Sequence, residues 1–177
     1  DDWYDKVYEG VCRAIYIGLN EKCIETHTFG EGYCCSVCGV SRLVGDIGPA
    51  GGYIFYDCDA DNDIGNADGL ISSECGWRFL EAAPCLPDTY IWGDDGKFGT
   101  QNGIGTGKEN TEKIVTATKN KETAAKACFD YIAHGYDDWF LPSFGELTAF
   151  YKVYPINDSW SSSEWNEDYG DRTYYYG

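Results

Sequence analysis

The chain has 177 residues, a formal net charge of -17 at pH 7, 43% hydrophobic and 16% aromatic residues, 22 glycines and 15 tyrosines. That length buries a real core, and that composition excludes disorder as the main state. The charge excludes nucleic acid as a partner, because phosphate binding needs clustered Lys and Arg, and no apolar run approaches the roughly 20 residues that cross a bilayer.

The opening Asp1-Asp2-Trp3 and the absence of Met fit the expectation of a mature secreted chain from which a signal segment has been removed. There are 9 cysteines: Cys12, Cys23, Cys34, Cys35, Cys38, Cys58, Cys75, Cys85 and Cys128. Cys35-x-x-Cys38 has zinc-ligand spacing, but no second pair follows it, and His27 and His134 are not spaced as ligands. Disulfides are therefore the expected use of these residues. An odd count leaves at least one thiol free, buried or bridged to another chain.

In chain order, Trp3, Val7, Val11, Ala14 and Ile15 recur at helical steps and predict an amphipathic helix from about Asp2 to Leu19. Glu21 to Gly39 has little periodicity and is expected to be an irregular, cross-linked loop. Residues 1–40 are thus a cysteine-rich N-terminal extension, and 41–177 the main domain. After the glycine-rich turn at 45–52, Tyr53-Ile54-Phe55-Tyr56 predicts a short buried strand, and Trp77 to Ala82 alternates between apolar and polar residues like a second strand. Residues 86–108 predict long loops around Trp92. Asn110 or Thr111 is placed to cap a helix carrying Ile114 and Val115, and Thr123 to cap one running toward Gly135. Ser143-x-x-Glu146 is a capping box for a last helix that stops before Pro155. The tail from Trp160 alternates in the manner of a hairpin. The fold class is α+β, with short strands, two or three helices and long ordered loops.

The densest chemical signal runs from Asp57 to Asp68. Asp57, Asp59 and Asp61 occupy positions one, three and five of a calcium loop, Asp63 position seven and Asp68 position twelve, an alternation that suits a hard cation seeking oxygens. Asn62 stands at position six, where such loops carry Gly. The alternative is a solvated acidic insertion; gathering these carboxylates without a cation costs repulsion, so calcium is the expected cofactor. Cys58 and Cys75 bracket this loop and are candidates to fasten its ends, which leaves Cys85 and Cys128 as the other candidate pair in the main domain. The sequence leaves connectivity open.

Catalytic signals are thin. His134 before Gly135 is an ordinary helix-end residue, Ser161-Ser162-Ser163 lacks a nucleophile elbow, and Ile104 to Lys108 lacks the full phosphate-loop spacing. Asn157-Asp158-Ser159 is a candidate glycosylation site at Asn157. The aromatic tail is more suggestive. Rigid rings among small polar residues are the composition of recognition surfaces, so Trp92, Trp160, Glu164, Trp165, Asn166, Tyr169, Arg172 and Tyr174 are the candidate ligand-binding residues; the alternative is that half of these rings fill the core.

The order of motifs also resembles a known family. Val44 to Tyr56, Gly76 to Pro84, Trp92-Gly93, Ile104 to Thr111, Ala124 to Cys128, Gly135 to Ser143 and Trp160 to Glu164 are collinear with the Lcl C-terminal-like domain family over about residues 43 to 170. The resemblance implies a C-type-lectin-like fold, close to that of formylglycine-generating enzymes, in bacterial surface or secreted proteins. It implies no catalytic residues. Residues 1–40 lie outside the match, and 57–75 reads as an insertion. The family's closing strand is not found before Gly177, so the expectation is that either the sequence stops short of it, or residues 1–40 or a neighbouring subunit cover the sheet edge.

These readings converge on a secreted, non-catalytic binding or adhesion module whose ligand is a glycan or surface protein. The alternative is a structural subunit of an extracellular filament or sheath, joined to copies of itself by strand addition or an intermolecular disulfide. An enzyme would need a reactive cysteine pair near a cleft, and no spacing identifies one.

Overall fold

The computed structural model describes residues 10–11, 15–18, 42–60, 73, 76–84, 86–94, 97–119, 122–155, 159–166 and 171–175; for 10–11, 16–18, 165–166 and 171–175 this covers the backbone. Seven short strands and three helices fill these residues in mixed order, an α+β arrangement. The strands are β1 (Gly10–Val11), β2 (Ile15–Gly18), β3 (Tyr53–Asp57), β4 (Phe79–Ala82), β5 (Thr89–Tyr90), β6 (Ser159–Asn166) and β7 (Asp171–Tyr175). The helices are α1 (Gly107–Ala117), α2 (Ala124–Phe129) and α3 (Phe144–Val153). None of the helices among the described residues is long and apolar enough to cross a membrane.

The strands form two sheets, one ordered β5-β1-β6-β7 and one ordered β2-β4-β3. The first is antiparallel except that β1 runs parallel to β6, with Val11 opposite Ser159. In the second, Ile15 to Gly18 pair antiparallel with Ala82 to Phe79.

Here the helix expected from Asp2 to Leu19 is corrected: its described residues are strands. Val11, Ile15 and Ile17 are β-branched, and four positions between Ile15 and Gly18 gain a partner on β4. That pairing decides the conformation over a helical spacing that occurs in any short apolar run. The segment assigned to an N-terminal extension thus supplies a strand to each sheet.

Strand β4 explains where the core sits. Phe79 packs into one apolar cluster with Ile54, Trp92, Ile114, Trp139 and Trp160. Leu80 and Ala82 pack into the other with Ile15, Phe55, Phe140, Leu147 and Phe150. Alternation along the strand feeds both clusters, so the expected polar face is absent and the strand is buried throughout. Glu81 is caught in this burial, and its carboxylate has to find donors inside the protein.

Two of the three helices start as their local sequence dictates. Thr123 accepts from the Lys126 N–H (3.2 Å), and Ser143 and Glu146 complete the capping box. Helix α2 nevertheless ends at Phe129, short of Gly135, because residues 133–136 form a tight turn with His134 at φ 52° and Gly135 at φ 86°. A helix of six residues has little propagation to support it, so Thr123→Ala is expected to lower the unfolding free energy by about 1–2 kcal/mol in a urea titration.

Helix α1 begins at Gly107 after Thr106, with no side-chain cap from Thr106, and Asn110 and Thr111 lie inside it. Its start is held from a distance: Glu146 Oε1 on α3 accepts from the Gly105 N–H of the preceding turn (2.8 Å) and from the Gly107 N–H, the helix's first donor (3.4 Å). Asn110 is thereby released for tertiary work. Its Oδ1 accepts from the Gln101 N–H (2.8 Å), and its Nδ2 donates to the Gln101 carbonyl (2.7 Å).

Candidate functional site

Glutamates are used in this acidic chain as anchors for loops. Glu81, fully buried, accepts from the Ala50 N–H (3.3 Å) and the Gly52 N–H (3.0 Å). Glu164 accepts from the Phe98 N–H (2.8 Å), the Thr100 N–H (3.0 Å) and the Thr100 hydroxyl (3.1 Å). Glu146, also fully buried, holds the 105–107 turn and accepts from the Ser143 N–H (2.6 Å). Each loop is glycine-rich or extended, with donors that no helix or sheet ladder can satisfy, and each takes its acceptor from far along the chain. Burial pushes the Glu146 carboxyl up to about 7, against the opposing pull of the Ser143, Gly105 and Gly107 hydrogen bonds.

This scaffold frames a cavity of about 210 Å³ beside α1. Lys108, Thr111 and Glu112 line it from α1, where the i, i+3, i+4 spacing places them on one face. Phe129 enters from the end of α2, and Asp137, Asp138, Trp139 and Phe140 from the segment after the 133–136 turn. The walls are held on several sides. Ile15 and Phe140 exchange backbone hydrogen bonds of 2.8 and 3.0 Å. The Thr111 hydroxyl donates to the Gly107 carbonyl (2.7 Å) and accepts from the Leu141 N–H (3.0 Å). The Trp139 ring meets Tyr131 edge-on at 5.4 Å. Lys108 pairs with Asp138 at 3.3 Å, whereas Glu112 and Asp137 make no ion pair among the described residues. Phe129 is 43% exposed at the mouth.

The residues singled out in the sequence are distributed differently. Trp92 and Trp160 are core residues, 1% and 3% exposed. Their indole N–H groups donate to the Ser161 carbonyl (2.6 Å) and the Tyr90 carbonyl (2.8 Å). Neither ring offers a face to a ligand in this structure, which corrects their assignment to a recognition surface. The Glu164 carboxylate is engaged with the 98–100 loop. Trp165, Asn166, Arg172 and Tyr174 lie on the β6–β7 hairpin, with Glu164 opposite Arg172 and Trp160 opposite Tyr174. Tyr169 and Asn157 lie outside the described residues.

Asp57 begins the predicted calcium loop, and both of its oxygens are gripped by Arg78, with Nε and Nη2 each at 2.8 Å. Its Oδ1 also accepts from the Asp59 N–H (3.1 Å), and Asp59 Oδ2 lies 3.7 Å from Arg78 Nε. The guanidinium fork supplies the positive charge next to these two carboxylates. Asp61, Asp63 and Asp68 lie outside the described residues, among which no group of three potential metal ligands occurs. Cys58 and Cys128 are both fully buried; Cys12, Cys23, Cys34, Cys35, Cys38, Cys75 and Cys85 lie outside the described residues.

What the sequence reading missed is the cavity itself. Its signals were present as the Lys108-x-x-Thr111-Glu112 spacing and the Asp137-Asp138-Trp139-Phe140 run. No local pattern shows that Phe129 joins them. Compared with models of protein families, with curated proteins and with solved structures, the chain finds no match.

Proposed function

We propose that this protein is a non-catalytic binding module of an extracellular or surface protein, with the cavity between α1 and the 137–140 segment as its ligand site. The observation that carries this is the pairing of a small aromatic-lined cavity with two carboxylates, Glu112 and Asp137, that make no ion pair among the described residues, on walls fixed from three directions. A preformed pocket with few polar groups is how a fold presents a ligand site. Three side chains of kinds that serve catalysis, Ser163, Glu81 and Glu146, are instead committed to the scaffold. The Ser163 hydroxyl donates to the Gln101 carbonyl (2.8 Å) and accepts from the Phe144 N–H (2.9 Å), and Glu81 and Glu146 hold backbone donors. The collinear resemblance to lectin-like surface domains points the same way, toward a glycan or a surface protein as ligand. Calcium in the 57–68 loop belongs to this reading as a stabilising ion. A thermal midpoint raised by millimolar calcium and returned by EDTA is expected, and no shift removes the ion.

Arrays of glycans and of extracellular proteins test the module. Phe129→Ala and Asp137→Ala, both at exposed positions, are expected to weaken the ligand so identified by at least about tenfold, as truncation of central contacts does, with an unchanged thermal midpoint. A ligand indifferent to both substitutions, or none on either array, overturns the assignment.

The filament reading is favoured by one observation: β7 is the terminal strand of the four-stranded sheet, the position from which strand addition proceeds. A strict monomer at high concentration in light scattering rejects it.

A further inference from the structure

We infer that the cavity receives a cationic side chain, an arginine presented by a partner protein; this rests on the binding-module reading above. Two features of the cavity require the same kind of occupant. Its apolar lining is aromatic: Phe129, 43% exposed, offers a ring that attracts a cation through its quadrupole, while Trp139 and Phe140, 2% and 1% exposed, are core residues that back the cavity. Phe129 already carries an ammonium over its ring, with Lys126 Nζ 5.8 Å from the centroid. Its ionic lining is acidic in excess. Lys108 is matched to Asp138 at 3.3 Å, while Glu112 and Asp137 line the same cavity without an ion pair among the described residues.

A planar guanidinium satisfies both features, because it stacks on a ring while its edge donates to carboxylates. A phosphate or sulfate meets two uncompensated carboxylates and a net charge of -17. A neutral sugar leaves those carboxylates without a counter-charge. Size agrees as well: about 210 Å³ falls below the roughly 300–1,000 Å³ of cavities that enclose whole small molecules and suits a single long side chain. The charge of the whole chain steers a basic partner toward the site and repels an acidic one.

The test is titration of the full-length, isotope-labelled protein with N-acetyl-arginine amide, followed by amide and indole resonances. Saturable shifts centred on Glu112, Phe129, Asp137 and Trp139 are expected, with a millimolar dissociation constant fitting so small a ligand. N-acetyl-citrulline amide, its uncharged isostere, should bind at least about tenfold more weakly, as should arginine amide to the E112Q/D137N double variant. Equal shifts with citrulline, or unsaturable shifts scattered over the acidic surface, overturn the cationic assignment. Methyl glucoside and indole separate the two levels of the argument. If either moves the cavity resonances and arginine amide does not, the occupant is not cationic and the binding module stands. If no probe moves them, both readings fail.

Discussion

Glu146→Ala is expected to lower the unfolding free energy by about 3–5 kcal/mol, the range for removing one partner from a buried charged network. The Ser143, Gly105 and Gly107 N–H groups would lose their acceptor together, and the start of α3 and the start of α1 would come loose in one step. Glu146→Gln separates shape from charge, since it fills the same space and keeps one acceptor oxygen. Its cost is expected to be less than half that of Ala and to depend on pH in a definite direction. The folded carboxyl is pushed up to about 7 from 4.5 by desolvation, so the folded state keeps a proton that the unfolded chain releases above pH 4.5. This contribution to stability is fully present below about pH 4.5, declines as pH rises to about 7 and is level beyond, with a span of about 3 kcal/mol. In urea titrations across this window the wild-type advantage over Glu146→Gln should fall by about 3 kcal/mol as pH rises; parallel curves would reject the role of this proton.

Gly52→Ala should be comparably severe for a different reason. A Cβ at Gly52 would lie 2.7 Å from the Ala82 carbonyl oxygen and 2.9 Å from its carbon. These atoms belong to the backbone of β4, which is hydrogen-bonded on both sides and has no room to shift. The Gly52 N–H donates to Glu81 and its carbonyl accepts from the Gly48 N–H (2.8 Å), so displacement would expose two buried groups. A loss of about 3 kcal/mol or more is expected from overpacking and lost hydrogen bonds combined. Gly99→Ala is the control. Gly99 has φ 67° and nothing within 4 Å of an added Cβ, so only the left-handed backbone penalty applies, about 1–2 kcal/mol. Thermal melts that rank the two the other way would show that loop 48–52 is not seated as described.

Those two residues also show what was and was not legible in the sequence. Ser143-x-x-Glu146 is readable as a capping box because both partners fall within one turn, and the Thr123 cap likewise. The second duty of Glu146, serving the Gly105 N–H of the preceding turn and the Gly107 N–H at the start of another helix, has no local signature. That is why α1 was expected to start at Asn110 or Thr111 instead of Gly107. The 53–57 and 79–82 strands are readable as short apolar runs bounded by turns. Val11 and Ile15 are not, since their strand conformation exists only where β4, β5 and β6 meet them. The tail hairpin is readable from alternation, but the burial of Trp160 is set by Tyr90 and the first apolar cluster. The cavity draws on α1, the end of α2 and the segment after a two-residue left-handed turn, so its composition becomes visible only when the chain has closed.

Strands β1 and β2 stand at the beginning of the described chain, yet Val11 pairs with Ser159 and Ile15 with Phe140 and Ala82. A chain made from its N-terminus carries these strands unpaired until β4 and β5 have emerged, and the contacts with Phe140 and Ser159 form later still. Contacts of such sequence separation slow the search for the native state. The exposed apolar segment is meanwhile open to other chains. Since Ile15 pairs with Phe140, the cavity wall is set late among the described parts, and a newly made chain acquires this cavity only after residue 140 has emerged.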